Sequence, residues 1–137
     1  MTPNAWGVFH DGVIQAIDGT LPGDLVITIE IGYLRAMFEG EGSRFRVHLT
    51  GCTRVRYSEY DEEPSTDLEK IREREPEILY VTSEQPLVLD CVMGPLELDY
   101  ERMTVELDSG VKVSEQELIS ASELYWNRWR ESTRSDA

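Results

Sequence analysis

The eight residues Asp24-Leu-Val-Ile-Thr-Ile-Glu-Ile31 constrain this chain more than any other stretch. Leu25, Ile27, Ile29 and Ile31 alternate with Val26, Thr28 and Glu30. In a strand, successive side chains point to opposite faces, so this period of two defines a β-strand with one face buried and the other wet. A helix would scatter the same four residues around its circumference.

The period recurs. Phe45, Val47 and Leu49 alternate with Arg44, Arg46 and His48; after Thr50-Gly-Cys-Thr53, Val55 and Tyr57 alternate with Arg54 and Arg56. This predicts a hairpin with one apolar and one basic face. Further strands are predicted over Val13–Ile17, Glu77–Thr82, Leu87–Met93, Leu96–Tyr100, Met103–Leu107 and Val111–Val113. Gly94-Pro95 suits a type II′ turn, and Asp108-Ser-Gly110 marks another turn. Residues Tyr33–Phe38 extend the second strand or turn helical, and Glu39-Gly-Glu-Gly-Ser43 reads as a flexible loop.

Between Ser58 and Pro76 the strand pattern stops. A short helix is predicted over Thr66–Glu73, with Ser65 as its N-cap and Leu68 and Ile71 as apolar anchors. Near the C-terminus, Ser114-Glu-Gln-Glu117 is a capping box that opens a second helix. Leu118, Ala121, Tyr125 and Trp129 form its apolar stripe, with Tyr125 and Trp129 expected to pack inward and Trp126 to face solvent.

Strands in runs, without alternating helices, argue against a parallel doubly wound sheet. The expected fold is α+β and mainly β: an antiparallel sandwich or open barrel of about seven to eight strands, with a short internal helix and a C-terminal helix. At 137 residues, positions 1–137 read as a single domain, long enough to bury a core without a metal or a disulfide framework.

The 27 acidic residues against 13 basic ones give a formal charge of −14. Such a surface repels nucleic acid and anionic membranes, so neither is an expected partner, and it favours solubility or a basic partner. The N-terminus lacks the basic start and apolar core of a signal peptide, and no run approaches the ~18 apolar residues of a membrane span. Cys52 and Cys91 are too few for a secreted disulfide scaffold. The expectation is a soluble cytoplasmic protein with reduced thiols, Cys91 in the core and Cys52 in the more accessible turn.

Several groups are candidates for chemistry. His10-Asp11 precedes the first strand, but the chain has only one other histidine, His48, and no close cysteine pair. No metal site or cofactor is therefore expected, and Asp11-Gly12 reads as a turn behind the buried anchor Phe9. Asp90 interrupts an apolar strand, whose alternation points Leu87, Leu89, Cys91 and Met93 inward and leaves Asp90 in water. Arg44, Arg46, Arg54 and Arg56 on one face form a candidate site for a phosphate or carboxylate ligand. The competing reading pairs them with the alternating acids Glu97, Asp99 and Glu101 and with Glu30. The segment Glu59–Glu77, with Asp61, Glu62 and Glu63 at its head, is a candidate docking surface for a basic protein. Trp126 is a second candidate contact, for a partner or a homodimer. No G-x-S-x-G elbow, P-loop, dinucleotide fingerprint or Cys-x-x-Cys occurs, so the chain is read as a non-enzyme.

The Phe-His-Asp-Gly stretch at 9–12, the alternating strand at 24–31 and the Phe45–Tyr57 run together resemble small uncharacterised bacterial proteins grouped with the immunity-type proteins of toxin systems. The likeness covers about the first sixty residues. It implies a β-rich fold that binds a cognate toxin, often through the toxin's basic surface. The arginine row departs from a purely anionic docking face.

Overall fold

The computed structural model describes residues 1–135 and side chains through Thr133. A 3-10 helix, Pro3–Phe9, leads into β1 (Val13–Gly19) and β2 (Gly23–Glu30), followed by the single-turn helix α1 (Gly32–Arg35). Then come β3 (Arg44–Cys52), β4 (Arg54–Tyr57), α2 (Leu68–Glu73), β5 (Ile78–Glu84), β6 (Leu87–Cys91), β7 (Gly94–Asp99), β8 (Arg102–Leu107), β9 (Lys112–Val113) and α3 (Glu115–Ser135). The nine strands form two antiparallel sheets, a five-stranded one in the order β1-β2-β3-β8-β9 and a four-stranded one in the order β4-β7-β6-β5. The α+β, mainly β expectation holds, as a two-sheet arrangement with no closed barrel.

The alternating rows meet across the strands as the pleat requires. In the larger sheet, Leu25 faces Leu49, Ile27 faces Val47 and Ile29 faces Phe45; on the other side Phe45 faces Leu107 and Val47 faces Val105. The smaller sheet contributes the rungs Tyr57–Leu96–Leu89 and Val55–Leu98–Leu87. All these side chains lie in one continuous core. β1 departs from strict alternation: a bulge between Ile14 and Ala16 lets Ile14 and Ile17, three residues apart, both turn inward.

The expected hairpin at Phe45–Tyr57 does not form. β3 pairs with β2 and β8, whereas β4 pairs with β7 in the other sheet. The chain passes from one sheet to the other at Thr53, whose N–H donates to Asp99 O at 2.9 Å. Strands that switch sheets in this way make the corners of sandwiches. The corner buries Cys52 completely, so both thiols are core groups and Cys52 is not an accessible turn residue. Burial raises the Cys52 thiol pKa, and burial with the Asp90 charge pushes Cys91 up to about 12.

Other local expectations change as well. The β6–β7 turn is Val92-Met93, closed by the Cys91–Gly94 pair, and Gly94-Pro95 opens β7. Met93 therefore points into solvent. The cap of α2 is Asp67, whose carboxylate accepts from the N–H groups of Glu69 and Lys70; Ser65 instead supports Asp67 N–H. The Ser114–Glu117 capping box forms as expected, with both reciprocal bonds at 3.1 Å.

One determinant left no pattern in the sequence. Arg35, at the end of α1, is fully buried. Its Nε donates to Asp108 Oδ1 at 2.8 Å, and its terminal nitrogens donate to the carbonyls of Glu39 at 3.1 Å and Glu41 at 3.1 Å. The second Asp108 oxygen accepts from the N–H groups of Ser43 and Arg44. The 39–43 segment is thus a pinned loop built around a guanidinium, not the flexible connection its glycines suggest.

Candidate functional site

The arginines fall into two separate pairs. Arg44 and Arg46 lie on the outer face of β3; Arg44 is 3.7 Å from Glu30, and Arg46 is 3.3 Å from Glu106. Arg54 and Arg56 stand on β4 and share Glu97 at 2.8 and 3.8 Å. The cross-strand registers Arg44–Glu30, Arg46–Glu106 and Arg56–Glu97 explain the pairing. His48 Nε2 also meets Glu106 Oε1 at 3.1 Å, out of line for a hydrogen bond. Glu106 is held below its ordinary pKa by the His48 contact, against desolvation, and then by Arg46. The topology therefore splits the four guanidinium groups between two sheets, each pair already matched by acid.

His10 and Asp11 complete a tight turn, with Gly12 N–H donating to Phe9 O at 2.8 Å and Asp11 in the left-handed region at φ 70°. The His10 ring donates from Nδ1 to the Leu79 carbonyl, and its Nε2 lies 3.5 Å from Asp11. Among the described residues no group of three or more His, Cys, Asp or Glu could hold a metal ion. Asp90 sits on the outer face of β6, opposite Tyr80 and Pro95.

Trp126 occupies a different position from the one expected. It is half-buried in an aromatic cluster, with ring centroids 5.6 Å from Tyr33, 5.1 Å from Tyr125 and 6.3 Å from His10. Tyr33 donates to His10 O at 2.7 Å, and burial, with the Asp11 charge, lifts its phenol pKa to about 12. Trp129 is the exposed indole, at 51%. The stripe of α3 does point at the body, but the body ends before the stripe does.

The acidic segment is where residues converge. After β4 the chain continues along the end of β7: Ser58 N–H donates to Pro95 O and Tyr60 N–H to Met93 O, both at 3.0 Å. This carries Tyr60 to the tip of the β6–β7 hairpin. Tyr57 and Ser65 exchange backbone hydrogen bonds at 2.9 and 2.8 Å, closing the 58–64 loop at its base. Within it, Glu62 N–H donates to Glu59 O and Asp61 takes φ 65°, a conformation that Asp tolerates. Arg74, just past α2, clamps the loop by reaching Glu59 at 2.7 Å and Glu62 at 3.1 Å. Tyr57 donates to the other Glu59 oxygen at 3.2 Å, and its burial beside that carboxylate raises its pKa.

The result is a fixed knuckle. Tyr60 is 64% exposed, Met93 54% and Val92 47%, and Asp61, Glu62 and Glu63 follow Tyr60 directly on the surface. Asp61 and Glu63 make no ion pair among the described residues. Between the loop and α2 lies a polar cleft of about 410 Å³, lined in part by Glu59, Glu63, Lys70 and Arg74. Sequence reasoning singled out the acids as a candidate contact but not the apolar side chains that the fold places beside them. The available signal was a hairpin tip made of Val-Met, where turn chemistry favours Gly, Asn, Asp or Pro.

Comparison with protein-family models, curated proteins and solved structures gives no match for the chain. Among the described residues no helix is long and apolar enough to cross a membrane.

Proposed function

We propose that this protein is a non-catalytic protein-binding domain that docks a basic partner on the knuckle formed by Tyr60, Val92 and Met93 with Asp61, Glu62 and Glu63. The observation that carries the reading is three apolar side chains exposed to water at a hydrogen-bonded tip, beside Asp61 and Glu63, which make no ion pair among the described residues. Buried aromatic and thioether anchors ringed by polar groups are how interfaces concentrate affinity. The flanking acids contribute orientation and association rate toward a basic surface, and the overall charge of −14 extends that steering. The resemblance of the first sixty residues gives this reading its specific form, an immunity protein that covers the basic surface of a toxin. The anionic-ligand alternative requires four guanidinium groups on one face, and β3 and β4 lie in different sheets.

The test is affinity capture from an extract of the source cells, with the wild type, Tyr60→Ala/Met93→Ala and Asp61→Lys/Glu63→Lys as baits. A specific basic protein should be retained by the wild type only, with salt-sensitive retention. Equal capture by all three baits rejects the knuckle as the docking surface.

A further inference from the structure

Helix α3 outruns the body it rests on. Leu118 is fully buried, and Ala121, Ser122, Tyr125 and Trp126 are partly covered; from Asn127 to Thr133 every side chain is exposed. Trp129 lies four residues after Tyr125 and eleven after Leu118, on the same stripe, so the packed face of the helix continues into water with a 51% exposed indole. An indole is a large apolar surface to leave wet, and a helix segment of so few turns gains little stability by itself.

The charges on α3 show what fits there. Its first nine residues carry Glu115, Glu117 and Glu123 and no Lys or Arg, whereas Arg128 and Arg130 follow Trp126, with Glu131 the one acid among residues 124–133. Glu115 bonds Thr2, and Glu117 caps Ser114, so these two have local roles at a helix N-terminus. Glu123, Arg128 and Arg130 make no ion pair among the described residues. Glu123 and Arg130 are seven residues apart, and therefore two turns apart on one side of the helix, flanking Trp126. A helix that is acidic first and basic later is complementary to itself when turned end for end.

We infer that the exposed half of α3 pairs antiparallel with α3 of a second copy of this chain, about a two-fold axis beside Trp126 and Asn127. In that register Glu123 of each copy meets Arg130 of the other, and the Trp129 rings are covered. The interface is isologous, as two-fold dimers require. It is small and works against the repulsion of two chains at −14, so association is weak and concentration-dependent. This surface is separate from the Tyr60–Met93 knuckle, so either proposal can fail alone.

Sedimentation velocity over a dilution series up to about 100 µM, a range suited to an interface of this size, tests the pairing. The wild type should show a reversible monomer–dimer equilibrium, and Trp129→Ser should be monomeric. Glu123→Arg and Arg130→Glu should each weaken the dimer by about tenfold or more, and the double variant Glu123→Arg/Arg130→Glu should restore it to near wild type. All three positions are exposed, so circular dichroism should show unchanged folding. A wild type that stays monomeric throughout, including one whose Trp129 is protected by a different protein, overturns the inference, as does a double variant no stronger than the singles.

Discussion

Asp108→Ala should be among the most damaging single substitutions in this protein, because it leaves a positive charge in the interior. Arg35 has no exposed surface, and Asp108 supplies its only carboxylate contact among the described residues, at 2.8 Å. Removing one member of a buried ion pair costs about 3–5 kcal/mol, since the remaining charge cannot return to water without disrupting its surroundings. The same change deprives Ser43 and Arg44 of the acceptor for their N–H groups. Arg35→Met is the informative contrast. It leaves Asp108 with those two backbone donors and a side chain 22% exposed, so the carboxylate keeps much of its solvation. Its cost should be about 2 kcal/mol, from carbonyls of the 39–41 segment that lose a buried donor. The total stability of such a domain is about 5–15 kcal/mol, so Asp108→Ala alone removes a large share.

Urea unfolding followed by tryptophan fluorescence near neutral pH measures both variants, and the order matters more than the values. A cost for Asp108→Ala below about 1 kcal/mol, or a larger cost for Arg35→Met, refutes the account of Arg35 as a charge held by its partner. The pair also has a pH signature. Desolvation pushes the Asp108 carboxyl up, but the Arg35 hydrogen bond, the Arg44 and Ser43 N–H groups and the Arg35 charge outweigh it, so the net pKa lies below the ordinary value of 3.8. A carboxylate depressed in the folded state contributes stability that is complete above the unfolded pKa and lost as the pH falls through the folded one. Wild-type stability should therefore fall in that acid window more steeply than that of Arg35→Met.

Other parts of the structure are testable in the same way. Gly94→Ala should cost about 1–3 kcal/mol from its φ of 149° alone, and more because the new methyl meets the Ser58 carbonyl; thermal melting checks this. Iodoacetamide should leave both cysteines of the folded protein unmodified at pH values where free thiols react, and label both after unfolding, because burial raises each thiol. Ser114→Ala should lower stability by about 1 kcal/mol through loss of one half of the capping box, measured by denaturant titration.

The strands were legible because a buried face imposes a period of two on any sequence that forms it, and Leu25–Ile31 and Phe45–Leu49 follow that period without interruption. Partner strands were not legible. Alternation continues through Arg44–Tyr57 whether the run folds back as a hairpin or crosses from one sheet to the other, and only the non-local pairing of β4 with β7 decides between them. Cys52 was misplaced for the same reason, since a corner and an exposed turn share their residue types. Arg35 gave no signal because a buried guanidinium is specified by carbonyls and a carboxylate remote in sequence. Trp129 followed the helical stripe correctly, but the sequence does not show where the supporting body stops. Asp61–Glu63 were visible as charge, whereas their apolar neighbours Val92 and Met93 come from a hairpin some thirty residues away in the chain.

The knuckle offers a way to separate function from stability, because the two make opposite demands on the same residues. A two-residue hairpin tip in water favours Asn, Asp, Gly or Pro, and Val92 and Met93 leave about half of their surface in water there. If the tip existed only to reverse the chain, Val92→Asn/Met93→Asn would improve it. The change should leave stability within about 0.5 kcal/mol of wild type or raise it, since it removes exposed apolar surface and breaks no core contact. The tip's bonds to the rest of the chain are backbone ones, Val92 N–H to Glu77 O and Tyr60 N–H to Met93 O, both at 3.0 Å, and Asn keeps both groups. Partner capture should nonetheless be lost, because the anchors that exclude water from the interface are gone. Stability kept and binding lost is the pattern of a surface shaped for contact, in which local turn chemistry yields to the partner's requirements. Stability lost with binding kept would make the tip a structural feature and remove the basis for docking at this end of the smaller sheet.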